Sequence, residues 1–485
     1  MTLKELIGPI KVKQIIGDTE REITDLTADS RKAGEGWVFV AVKGVTVDGH
    51  SFIPTLKGKG LAAIVAEELP EDPEEGVTHI VVDNSAIALG ELASRRFGEP
   101  SKRLKLVGVT GTNGKTTTAT LLYEMARLAG HKAGLLSTVV NYVDTEAVHA
   151  DQTTPDPITI NRLLAQMVEK GCEYAAMEVS SHAAHQHRIA GLHFAGGVFS
   201  NLTRDHLDYH KTVQAYLEAK KSFFDNLGPD AFALTNIDDK VGEVMLQNTR
   251  AMRKTYSLRS VADFRGRVIE SRLDGTLMSF NGSEVDVLFT GRFNAYNLTA
   301  VYGASVLLGW DNETVLLNMS RLVPVAGRFQ TFRSPQRNVT AIVDYAHTPD
   351  AVVSVITAIR EVTGKSGRII TVVGAGGNRD KGKRPIMAKE AARLSDRVIL
   401  TSDNPRFENP SEILHDMEAG LDSDEARAKT LSITDRREAI RAAVALAAPG
   451  DVVLVAGKGH EDYQEIEGVK HHFDDREEVR NALGI

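Results

Sequence analysis

The sequence has little of what stabilises secreted proteins or anchors membrane proteins. It contains a single cysteine, Cys172, among its 485 residues, so no disulfide can form within the chain. Apolar runs such as Val452 to Ala456 fall far below the roughly 20 residues that a membrane-spanning helix requires. The amino-terminal segment MTLKELIGPI lacks the basic start and the long apolar stretch of a signal peptide. We therefore expect a cytoplasmic protein without a membrane-inserted segment.

The chain also lacks a large excess of charge of one sign. Its formal net charge is -8, from 57 Lys and Arg against 65 Asp and Glu. This balance gives no chain-wide reason to expect nucleic-acid binding, although local clusters of Lys and Arg could still bind a small polyanion. We expect a monomer that acts on small molecules.

The length and the pattern of the chain predict an α/β protein of three domains, at roughly 150 residues per domain. Residues 1–102 mix short apolar runs with turn residues, which predicts a small α/β domain. Residues 103–333 open with a strand, a glycine-rich loop and a helix, which predicts a central nucleotide-binding domain of the P-loop type. Residues 334–485 alternate strands and helices, which predicts a Rossmann-like, doubly wound domain.

Four predicted strands in the last region, near 339–343, 368–373, 397–401 and 451–455, are each followed by a polar or glycine-rich segment. These segments are DYAHTPD, GAGGNRDKGKRP, SDNPRFENP and GKGHED. Ligands of open α/β sheets bind outside the carboxyl ends of the strands. We therefore expect the four segments to converge on one crevice.

The segment TGTNGKT lies between the predicted strand LKLVGV and a predicted helix, which is the setting of a phosphate-binding loop. Small residues let backbone N–H groups curl round an anion at the positive end of the helix. Lys115 would reach the β- and γ-phosphates and the Thr116 hydroxyl would bind Mg²⁺. The general pattern has another glycine where this chain has Val109, and a glycine-rich turn without a ligand is the alternative. The predicted loop contacts are Thr110, Gly111, Thr112, Asn113, Gly114, Lys115, Thr116 and Thr117.

This loop resembles that of the Mur ligases and the folylpolyglutamate synthetases. Further segments resemble the Mur ligase signatures in the order of that family: EVSSH (178–182), NLTRDHLDYH (201–210), EAKKSFF (218–224), GRFNAYN (291–297), AGRF (326–329) and DYAH (344–347). The resemblance covers nearly the whole chain. It implies a ligase that uses ATP and Mg²⁺ to form an amide bond through an acyl-phosphate.

The resemblance implies four catalytic residues: Lys115, Glu178, His206 and Lys220. Glu178, His206 and Thr116 would bind Mg²⁺, whereas a helix-capping carboxylate and a surface histidine are the alternatives for the first two. A lysine of the EAKKSFF segment is carbamylated in Mur ligases, since a neutral lysine can add CO₂ and become a metal-binding anion. Alignment to the motif favours Lys220 for this role and for the metal site, although the adjacent Lys221 keeps the choice open.

The resemblance also implies the rest of the nucleotide site. A side-chain amide of GRFNAYN, either Asn294 or Asn297, can pair with an adenine edge, and Asn297 fits the motif better. Arg328 and Asp344 resemble residues that reach the nucleotide across the domain junction, with Asp344 on the ribose. Taken singly, each would be read as a surface charge.

Two segments, TADSRKAGEGWVFVAVKG and DQTTPD, resemble the tripeptide-forming branch of the Mur ligases. This implies UDP-MurNAc-L-Ala-D-Glu as the acceptor. The predicted contacts with the UDP-sugar are Ser30, Val45, Thr46 and Val47, and those with the muramoyl dipeptide are Thr153, Thr154, Ser180, Gln186 and Arg188. Arg188 suits a carboxylate by bidentate pairing. Helix capping is the alternative role for the hydroxyls.

The segment Asp403-Asn404-Pro405-Arg406 indicates which amine is added. Meso-diaminopimelate differs from lysine by a second carboxylate, which Arg406 is shaped to bind, and lysine-adding relatives lack this arginine. Glu461 would pair with the ammonium at the same end, and Arg379 and Gly457 would complete the pocket. The alternative for this segment is a turn with a solvated arginine. Arg384 could either bind a phosphate or have a structural role. The competing functions are a lysine-adding homologue, a folylpolyglutamate synthetase and, from another class, a phosphate-loop switch NTPase.

Overall fold

The fold is taken from a computed structural model. It describes residues 1–8, 10–45, 47–150, 152–203, 205, 207–364 and 366–485, and of residues 207 and 208 it describes the backbone alone. The predicted contacts Thr46 and His206 lie outside the described residues. Three large sheets follow one another along the chain, each with helices packed on it, as the sequence predicts, and a separate two-stranded sheet, Tyr463–Ile466 and Val469–His472, follows the last of them.

The amino-terminal sheet has five strands in the order β1-β5-β4-β3-β2. Strand β1 pairs antiparallel with β5 and the other pairings are parallel. The inner strands are buried because their residues are apolar on both faces, as in the AIVA run of β4. The elements are α1 (Leu3–Ile7), β1 (Val12–Ile16), β2 (Leu26–Thr27), β3 (Val38–Val40), the 3-10 helix Gly49–Leu56, β4 (Ala63–Ala66), β5 (Thr78–Val82) and α2 (Ser85–Arg96).

The central sheet has eleven strands in the order β16-β15-β14-β13-β12-β11-β6-β10-β7-β8-β9. Strand β6 lies between β10 and β11, parallel to both, so the segments that follow these three strands meet at one edge. The first elements are the 3-10 helix Pro100–Arg103, β6 (Lys105–Thr110), α3 (Lys115–Leu128), β7 (Ala133–Leu136), β8 (Asn141–Val143), β9 (Glu146–Val148), α4 (Pro157–Glu169), β10 (Tyr174–Glu178), α5 (Ser181–His185) and β11 (Gly196–Phe199). The others are α6 (Leu207–His210), α7 (Val213–Asp225), β12 (Phe232–Asn236), α8 (Gly242–Met245), β13 (Met252–Ser257), β14 (Phe264–Arg272), β15 (Gly275–Phe280), β16 (Ser283–Val287), α9 (Arg292–Leu307) and α10 (Asn312–Met319).

The carboxy-terminal sheet has six strands in the order β17-β18-β22-β19-β20-β21. All pairings are parallel except that of β17 with β18. Separate apolar cores cover its two faces, which confirms the doubly wound prediction. The elements are β17 (Gln330–Ser334), β18 (Val339–Asp344), α11 (Pro349–Thr363), β19 (Ile369–Ala375), α12 (Lys383–Leu394), β20 (Arg397–Ser402), α13 (Pro410–Glu418), α14 (Asp424–Ala428), β21 (Thr430–Ser432), α15 (Arg436–Leu446), β22 (Val452–Ala456), β23 (Tyr463–Ile466), β24 (Val469–His472) and α16 (Asp475–Leu483).

The four strands predicted in this region match β18, β19, β20 and β22 within two residues at each end. Strand β17 begins at Gln330 and pairs with the carboxy-terminal sheet, so it straddles the predicted boundary between residues 333 and 334. In the part of the chain that the structure describes, no helix is long and apolar enough to cross a bilayer.

Candidate active site

The phosphate-binding loop follows β6 at the centre of the large sheet and leads into α3. Gly114 caps α3 with a φ of 87°, in the left-handed region that favours glycine. A Cβ atom on Gly111 would lie 1.9 Å from the Ser200 hydroxyl oxygen, so a larger residue would displace the loop. The Lys115 ammonium donates to the carbonyl oxygens of Gly111 at 3.0 Å and Thr112 at 2.8 Å. Lys115 therefore folds back over the loop, and burial lowers the pKa of its ammonium.

The segment after β11 holds this loop in place. The Asn113 N–H donates to the Asn201 side-chain oxygen at 2.9 Å, and the Thr112 N–H donates to the Asn201 carbonyl oxygen at 2.8 Å. The Ser200 hydroxyl donates to the Asn113 carbonyl oxygen at 2.6 Å. The start of the NLTRDH motif is thus part of the loop's framework.

Glu178 ends β10, next to the phosphate-binding loop, and is buried. Its Oε1 accepts hydrogen bonds from the backbone N–H of Thr138 at 2.7 Å and from the Thr138 hydroxyl at 3.0 Å. Its Oε2 is buried and has no hydrogen-bond partner among the described residues. Buried polar atoms are rarely left unpaired, so this oxygen is suited to bind a cation as a ligand.

The two lysines of EAKKSFF have different surroundings. Lys220 is 1% exposed, and its ammonium donates to the Gly111 carbonyl oxygen at 2.7 Å. Burial, aided by the charge of Lys115, holds the pKa of Lys220 well below its ordinary value. Lys221 instead pairs with Asp225 at 2.6 Å. The geometry therefore favours Lys220 over Lys221 as the lysine that can be neutral and lie at the phosphate-binding loop.

The predicted nucleotide contacts, except Thr110 and Gly111, line a cavity of about 430 Å³ beside this loop. Asn297 lines it, whereas Asn294 donates to the Thr290 carbonyl oxygen at 2.9 Å and does not. Arg328 donates to the Thr116 hydroxyl at 3.2 Å, which links the AGRF segment to the phosphate-binding loop. Asp344 ends β18 and also lines this cavity, and burial raises its pKa.

The residues predicted for the muramoyl dipeptide form one cluster near Glu178. The Thr154 hydroxyl donates to the Glu178 carbonyl oxygen at 2.8 Å and accepts from the Ser180 N–H at 3.1 Å. Arg188 donates through Nε and Nη2 to Gln186 Oε1, at 3.0 and 2.7 Å, and through Nη1 to the Thr154 carbonyl oxygen at 2.8 Å. Burial lowers the pKa of Arg188.

The Thr153 hydroxyl oxygen lies 3.1 Å from the Thr138 hydroxyl oxygen, and Thr153 lines the nucleotide cavity. The predicted UDP-sugar contacts Ser30, Val45 and Val47 lie in the amino-terminal domain and do not line this cavity. Val45 and Val47 are exposed, at 64% and 53%.

A second cavity lies at the carboxyl ends of the carboxy-terminal strands, and its volume of about 520 Å³ suits a small molecule. We call it the amine cavity, because the predicted amine contacts lie in its lining. All four polar segments that follow these strands contribute to its walls, which confirms the predicted crevice. The predicted amine contacts in its lining are Arg379, Asp403, Asn404, Arg406, Gly457 and Glu461. Pro405 is buried and does not line the cavity, and its carbonyl oxygen lies against Gly377.

Arg406 lines this cavity and has a φ of 52°, a left-handed backbone conformation that is uncommon outside glycine. Its Nη1 donates to the Gly377 carbonyl oxygen at 2.8 Å, and its Nε lies 3.3 Å from a Glu465 carboxylate oxygen. Its backbone forms a bridge with Ile466. The guanidinium is therefore held in place by both its side chain and its backbone.

Asn404 and Glu461 form a polar wall of the same cavity. The Asn404 amide nitrogen donates to Glu461 Oε2 at 2.8 Å. Burial, and the neighbouring Asp403, raise the pKa of Glu461. Arg384 is 1% exposed and pairs with Glu408 and Asp416, so its role is structural.

The two cavities adjoin. Five residues line both of them: Thr153, Asp205, Tyr345, His347 and Asp350. Tyr345 and His347 belong to the DYAH motif, from which the sequence reasoning selected Asp344 alone. The polar run after β12, with Asp238 and Asp239, also lines the nucleotide cavity. These residues lie in polar segments directly after buried strands, the same pattern that predicted the four segments of the carboxy-terminal crevice.

Comparisons with known proteins agree with this arrangement. Family models match in chain order: the Mur ligase family catalytic domain over residues 22–97, the Mur ligase middle domain over 109–305 and the Mur ligase glutamate ligase domain over 327–459. The chain is 60% identical to a UDP-N-acetylmuramoyl-L-alanyl-D-glutamate--2,6-diaminopimelate ligase of Bacteroides thetaiotaomicron, with 100% of both chains covered. It is 62% identical to the ligase of the same name from Parabacteroides distasonis, over 100% of this chain and 99% of the relative.

Solved structures give the same result. The structure of a ligase with this name superposes with a TM-score of 0.72 at 32% identity, covering 100% of this chain and 99% of the other. A Mycobacterium tuberculosis folylpolyglutamate synthase, complexed with ADP and AMPPCP, shares the fold at 16% identity with a TM-score of 0.62, over 81% of this chain and 94% of its own. The chain belongs to the Mur ligase family.

Proposed function

We propose that this protein joins meso-2,6-diaminopimelate to UDP-N-acetylmuramoyl-L-alanyl-D-glutamate at the expense of ATP, which makes the UDP-muramoyl tripeptide of peptidoglycan synthesis. The observation that carries the proposal is the adjoining pair of cavities. One is built round a phosphate-binding loop, and the other is lined by both Arg406 and Glu461. The names of the relatives at about 60% identity support the same reaction.

The reaction requires the acceptor carboxylate to be activated before the amine can attack. A carboxylate oxygen of the acceptor attacks the γ-phosphorus of ATP and ADP leaves, which gives an acyl-phosphate. The free amine then attacks the acyl carbon, loses a proton, and inorganic phosphate leaves as the amide forms. The cluster of Thr154, Gln186 and Arg188 lies beside Glu178, so it would hold the dipeptide next to the phosphate-binding loop.

Mg²⁺ fits the residues at this loop. Glu178 Oε2 is a buried carboxylate oxygen without a partner among the described residues, and the Thr116 hydroxyl lies at the start of α3. No ready-made cluster of three acidic, His or Cys ligands is found in the described part of the chain, in keeping with an ion that takes one or two carboxylates plus phosphates. When bound, the ion would neutralise charge that builds up on the phosphates. His206 is a further candidate ligand.

Lys220 would carry the carbamate that Mur ligases use at this position. Its burial and depressed pKa favour the neutral amine that reacts with CO₂, and its contact with Gly111 supports a carbamate at the phosphate-binding loop. We expect ¹³C-bicarbonate to give a carbamate signal that Lys220→Met abolishes and Lys221→Met retains. A signal that persists in Lys220→Met would contradict this assignment.

In the nucleotide cavity, Asn297 would bind the adenine edge, Arg328 the phosphates and Asp344 the ribose. In the amino-terminal domain, Ser30 and the loop that contains Val45 and Val47 would bind the UDP-sugar. The exposed valines suit contact with a ligand, since large apolar side chains on a surface loop gain from being covered.

The amine cavity supports diaminopimelate over lysine. Arg406 would bind the carboxylate at the far end of the amino acid, with the exposed Arg379 beside it, and Glu461 would bind the ammonium at that end. Lysine would leave Arg406 without its partner, and a site built for a charged group strongly rejects a substrate that lacks it.

The test is phosphate release by the purified protein with ATP, Mg²⁺ and the UDP-muramoyl dipeptide, with diaminopimelate or lysine as the amine and the product identified by mass. We expect turnover with diaminopimelate alone. Arg406→Ala should raise the KM for diaminopimelate about 100-fold or more. Exposed Arg427, which pairs with Asp424 on the far surface, supplies the matched control Arg427→Ala.

The other outcomes separate the alternatives. Preference for lysine would retain the ligase and overturn the role of Arg406. Turnover with a folate acceptor would indicate a folylpolyglutamate synthetase. ATP hydrolysis that needs neither acceptor nor amine would indicate a phosphate-loop switch protein.

A further inference from the structure

Lys458 is buried directly behind the wall of the amine cavity. It follows β22 in the GKGHE segment, and its side chain is 0% exposed. Its neighbours Gly457 and Glu461 line the cavity, whereas Lys458 does not. An ammonium in the interior requires polar partners, because burying an unpaired charge is costly.

The partners of Lys458 are the two residues that form the polar wall. Its ammonium donates to Asn404 Oδ1 and to Glu461 Oε2, each at 3.1 Å. It also lies 5.4 Å from the centre of the Tyr463 ring. Lys458 thus joins the segment after β20 to the segment after β22.

These contacts determine how the Asn404 amide is oriented. Asn404 Oδ1 accepts from the Lys458 ammonium and from the Glu465 N–H, the latter at 2.9 Å. Both partners can only donate, so a rotated amide would place its NH₂ group against two donors. The amide nitrogen therefore faces Glu461 Oε2.

The same contacts leave one oxygen of Glu461 for a ligand. Oε2 already accepts two hydrogen bonds, one from Asn404 and one from Lys458. Across the residues that the structure describes, no protein hydrogen bond reaches Oε1. Because Glu461 lines the cavity, Oε1 is the acceptor that an incoming ammonium would meet.

We propose that Lys458 is a positioning residue for amine selection, which holds Asn404 and Glu461 so that Glu461 presents a charged oxygen to the ammonium of the amino-acid substrate. This inference rests on the proposed function, which supplies the amine. Lys458 does not touch the substrate and acts through Glu461.

The charges around Glu461 support this role. Asp403 is also buried in the wall, and two nearby carboxylates disfavour each other's ionised form. Burial and Asp403 raise the pKa of Glu461, and Lys458 acts in the opposite direction. The titratable groups near this site also include Arg406, Arg436, the phenols Tyr345 and Tyr463, and His347 and His460, whose pKa values burial lowers. Removal of the ammonium would therefore favour a protonated Glu461, which binds an ammonium less well.

The experiment is steady-state kinetics of Lys458→Met on the full chain. We expect the KM for diaminopimelate to rise about 10- to 100-fold, the loss typical of hydrogen bonds to charged groups, while the KM values for ATP and the UDP-linked acceptor change little. The increase should be larger at pH 6.5 than at pH 8.5, and Lys458→Arg should restore part of the loss. The matched control is Lys470→Met, because Lys470 is exposed and lies 4.3 Å from the same Tyr463 ring.

A double-variant comparison tests whether Lys458 acts through Glu461. In a Glu461→Gln background, Lys458→Met should add little to the KM for diaminopimelate, because the pair acts as a unit. Full additivity, an unchanged KM, or an equal rise for all three substrates would overturn the proposal. If Lys458→Met does not fold, as judged by its thermal melt, Lys458→Gln takes its place with the same criteria. Failure of the wild type to use diaminopimelate would refute the proposed function instead.

Discussion

At the scale of single residues, an unsatisfied atom is the most informative feature of the site. Glu178 Oε2 is buried without a hydrogen-bond donor among the described residues, while Oε1 has two. An uncompensated carboxylate oxygen would cost free energy in the interior. A cation at Oε2 removes that cost.

This reasoning predicts the behaviour of Glu178→Gln. The amide oxygen can still accept from Thr138, so the fold should be retained, but the negative charge at the phosphate-binding loop is lost. We expect kcat to fall about 10²- to 10³-fold and the Mg²⁺ concentration for half-maximal rate to rise. The measurement is phosphate release against Mg²⁺ concentration.

Glu173→Gln provides the control for that variant. Glu173 directly precedes β10, at the other end of the strand that Glu178 ends, and its side chain is 59% exposed. It should leave both parameters unchanged. A Glu178→Gln enzyme with the wild-type dependence on Mg²⁺ would show that Glu178 serves another purpose.

At the scale of elements, one carboxylate ties three segments of the nucleotide cavity together. Asp238, after β12, accepts from the Ser257 hydroxyl at 2.8 Å, from the Leu258 N–H at 2.8 Å and from the Tyr296 hydroxyl at 2.9 Å. Tyr296 belongs to α9 and also accepts from Arg259 at 3.2 Å. Asp238 thereby connects the end of β12, the turn after β13 and the helix that carries Asn297.

We predict that Asp238→Asn destabilises the protein in a pH-dependent manner. Burial opposes ionisation, but the hydrogen bonds outweigh it and lower the pKa of Asp238 to about 2. Because the pKa of Asp238 is lower in the folded protein than its unfolded value of about 3.9, ionised Asp238 stabilises the protein fully above about pH 3.9. This contribution is lost as the pH falls through about 2. Thermal melts of wild type and variant should therefore differ most near neutral pH and converge in acid. Asp274→Asn, at an 84% exposed side chain, should show no such difference.

A buried ion pair links α15 and α16 beneath the amine cavity. Arg436 and Asp475 are both 0% exposed, and their side chains meet at 2.7 Å. Arg436 also donates to the Ala456 carbonyl oxygen at 2.9 Å, at the end of β22. The pair therefore supports the strand end from which Gly457 and Lys458 follow.

Removal of one partner should be costly because it leaves the other charge buried and unpaired. We expect Asp475→Ala to lower the free energy of unfolding of the carboxy-terminal domain by about 3–5 kcal/mol. Amide hydrogen exchange in β22, followed by mass spectrometry, measures this directly. Asp424→Ala breaks the exposed pair with Arg427 and should cost less than about 1 kcal/mol. Equal exchange in the two variants would refute the prediction.

Prediction of elements from the sequence succeeded where a strand is buried on both faces. The runs VVLVA of β22 and YAAME of β10 are buried throughout and stand out as apolar. The antiparallel strands escaped prediction because only alternate residues are buried: β14 reads FRGRVIESR and β17 reads QTFRS. Their partners lie in the folded sheet, and the local composition carries little trace of them.

Site residues divide in a similar way. Lys115 lies in a motif after a strand and Glu178 ends a strand within a motif, so local sequence patterns were enough to select them as candidates. Lys458 and Asp238 form hydrogen bonds with segments that are distant in the sequence. No local sequence pattern predicts such contacts. Arg384 was undecided for the same reason, because its partners Glu408 and Asp416 come from beyond the next strand.

At the scale of the whole molecule, the proposed function assigns the two substrates to different domains. The amine cavity belongs to the carboxy-terminal domain and the phosphate-binding loop to the central one, with Thr153, Tyr345 and His347 on the walls of both. An acyl-phosphate formed there must be protected from water until the amine attacks. The position of the carboxy-terminal domain is therefore part of the catalytic arrangement.

Arg328 is the residue through which we expect ATP to control that position. It stacks 4.4 Å from the Tyr345 ring centre, and it donates to Thr116, whose hydroxyl is also a predicted Mg²⁺ ligand. Its Nε is buried without a hydrogen-bond partner among the described residues, so a phosphate oxygen would complete its bonding.

We predict that an ATP analogue, added with Mg²⁺ and the UDP-linked acceptor, reduces the radius of gyration measured by small-angle X-ray scattering. The reason is that the phosphates would draw Arg328 inward, together with the carboxy-terminal domain that follows it. Arg328→Ala should weaken the reduction and raise the KM for ATP about tenfold. Arg321→Ala, at an exposed arginine that follows α10, is the matched control and should retain the wild-type response. An identical radius of gyration with and without ligands would mean that the domains are already in their catalytic positions. Arg328 would then bind phosphate without moving the carboxy-terminal domain.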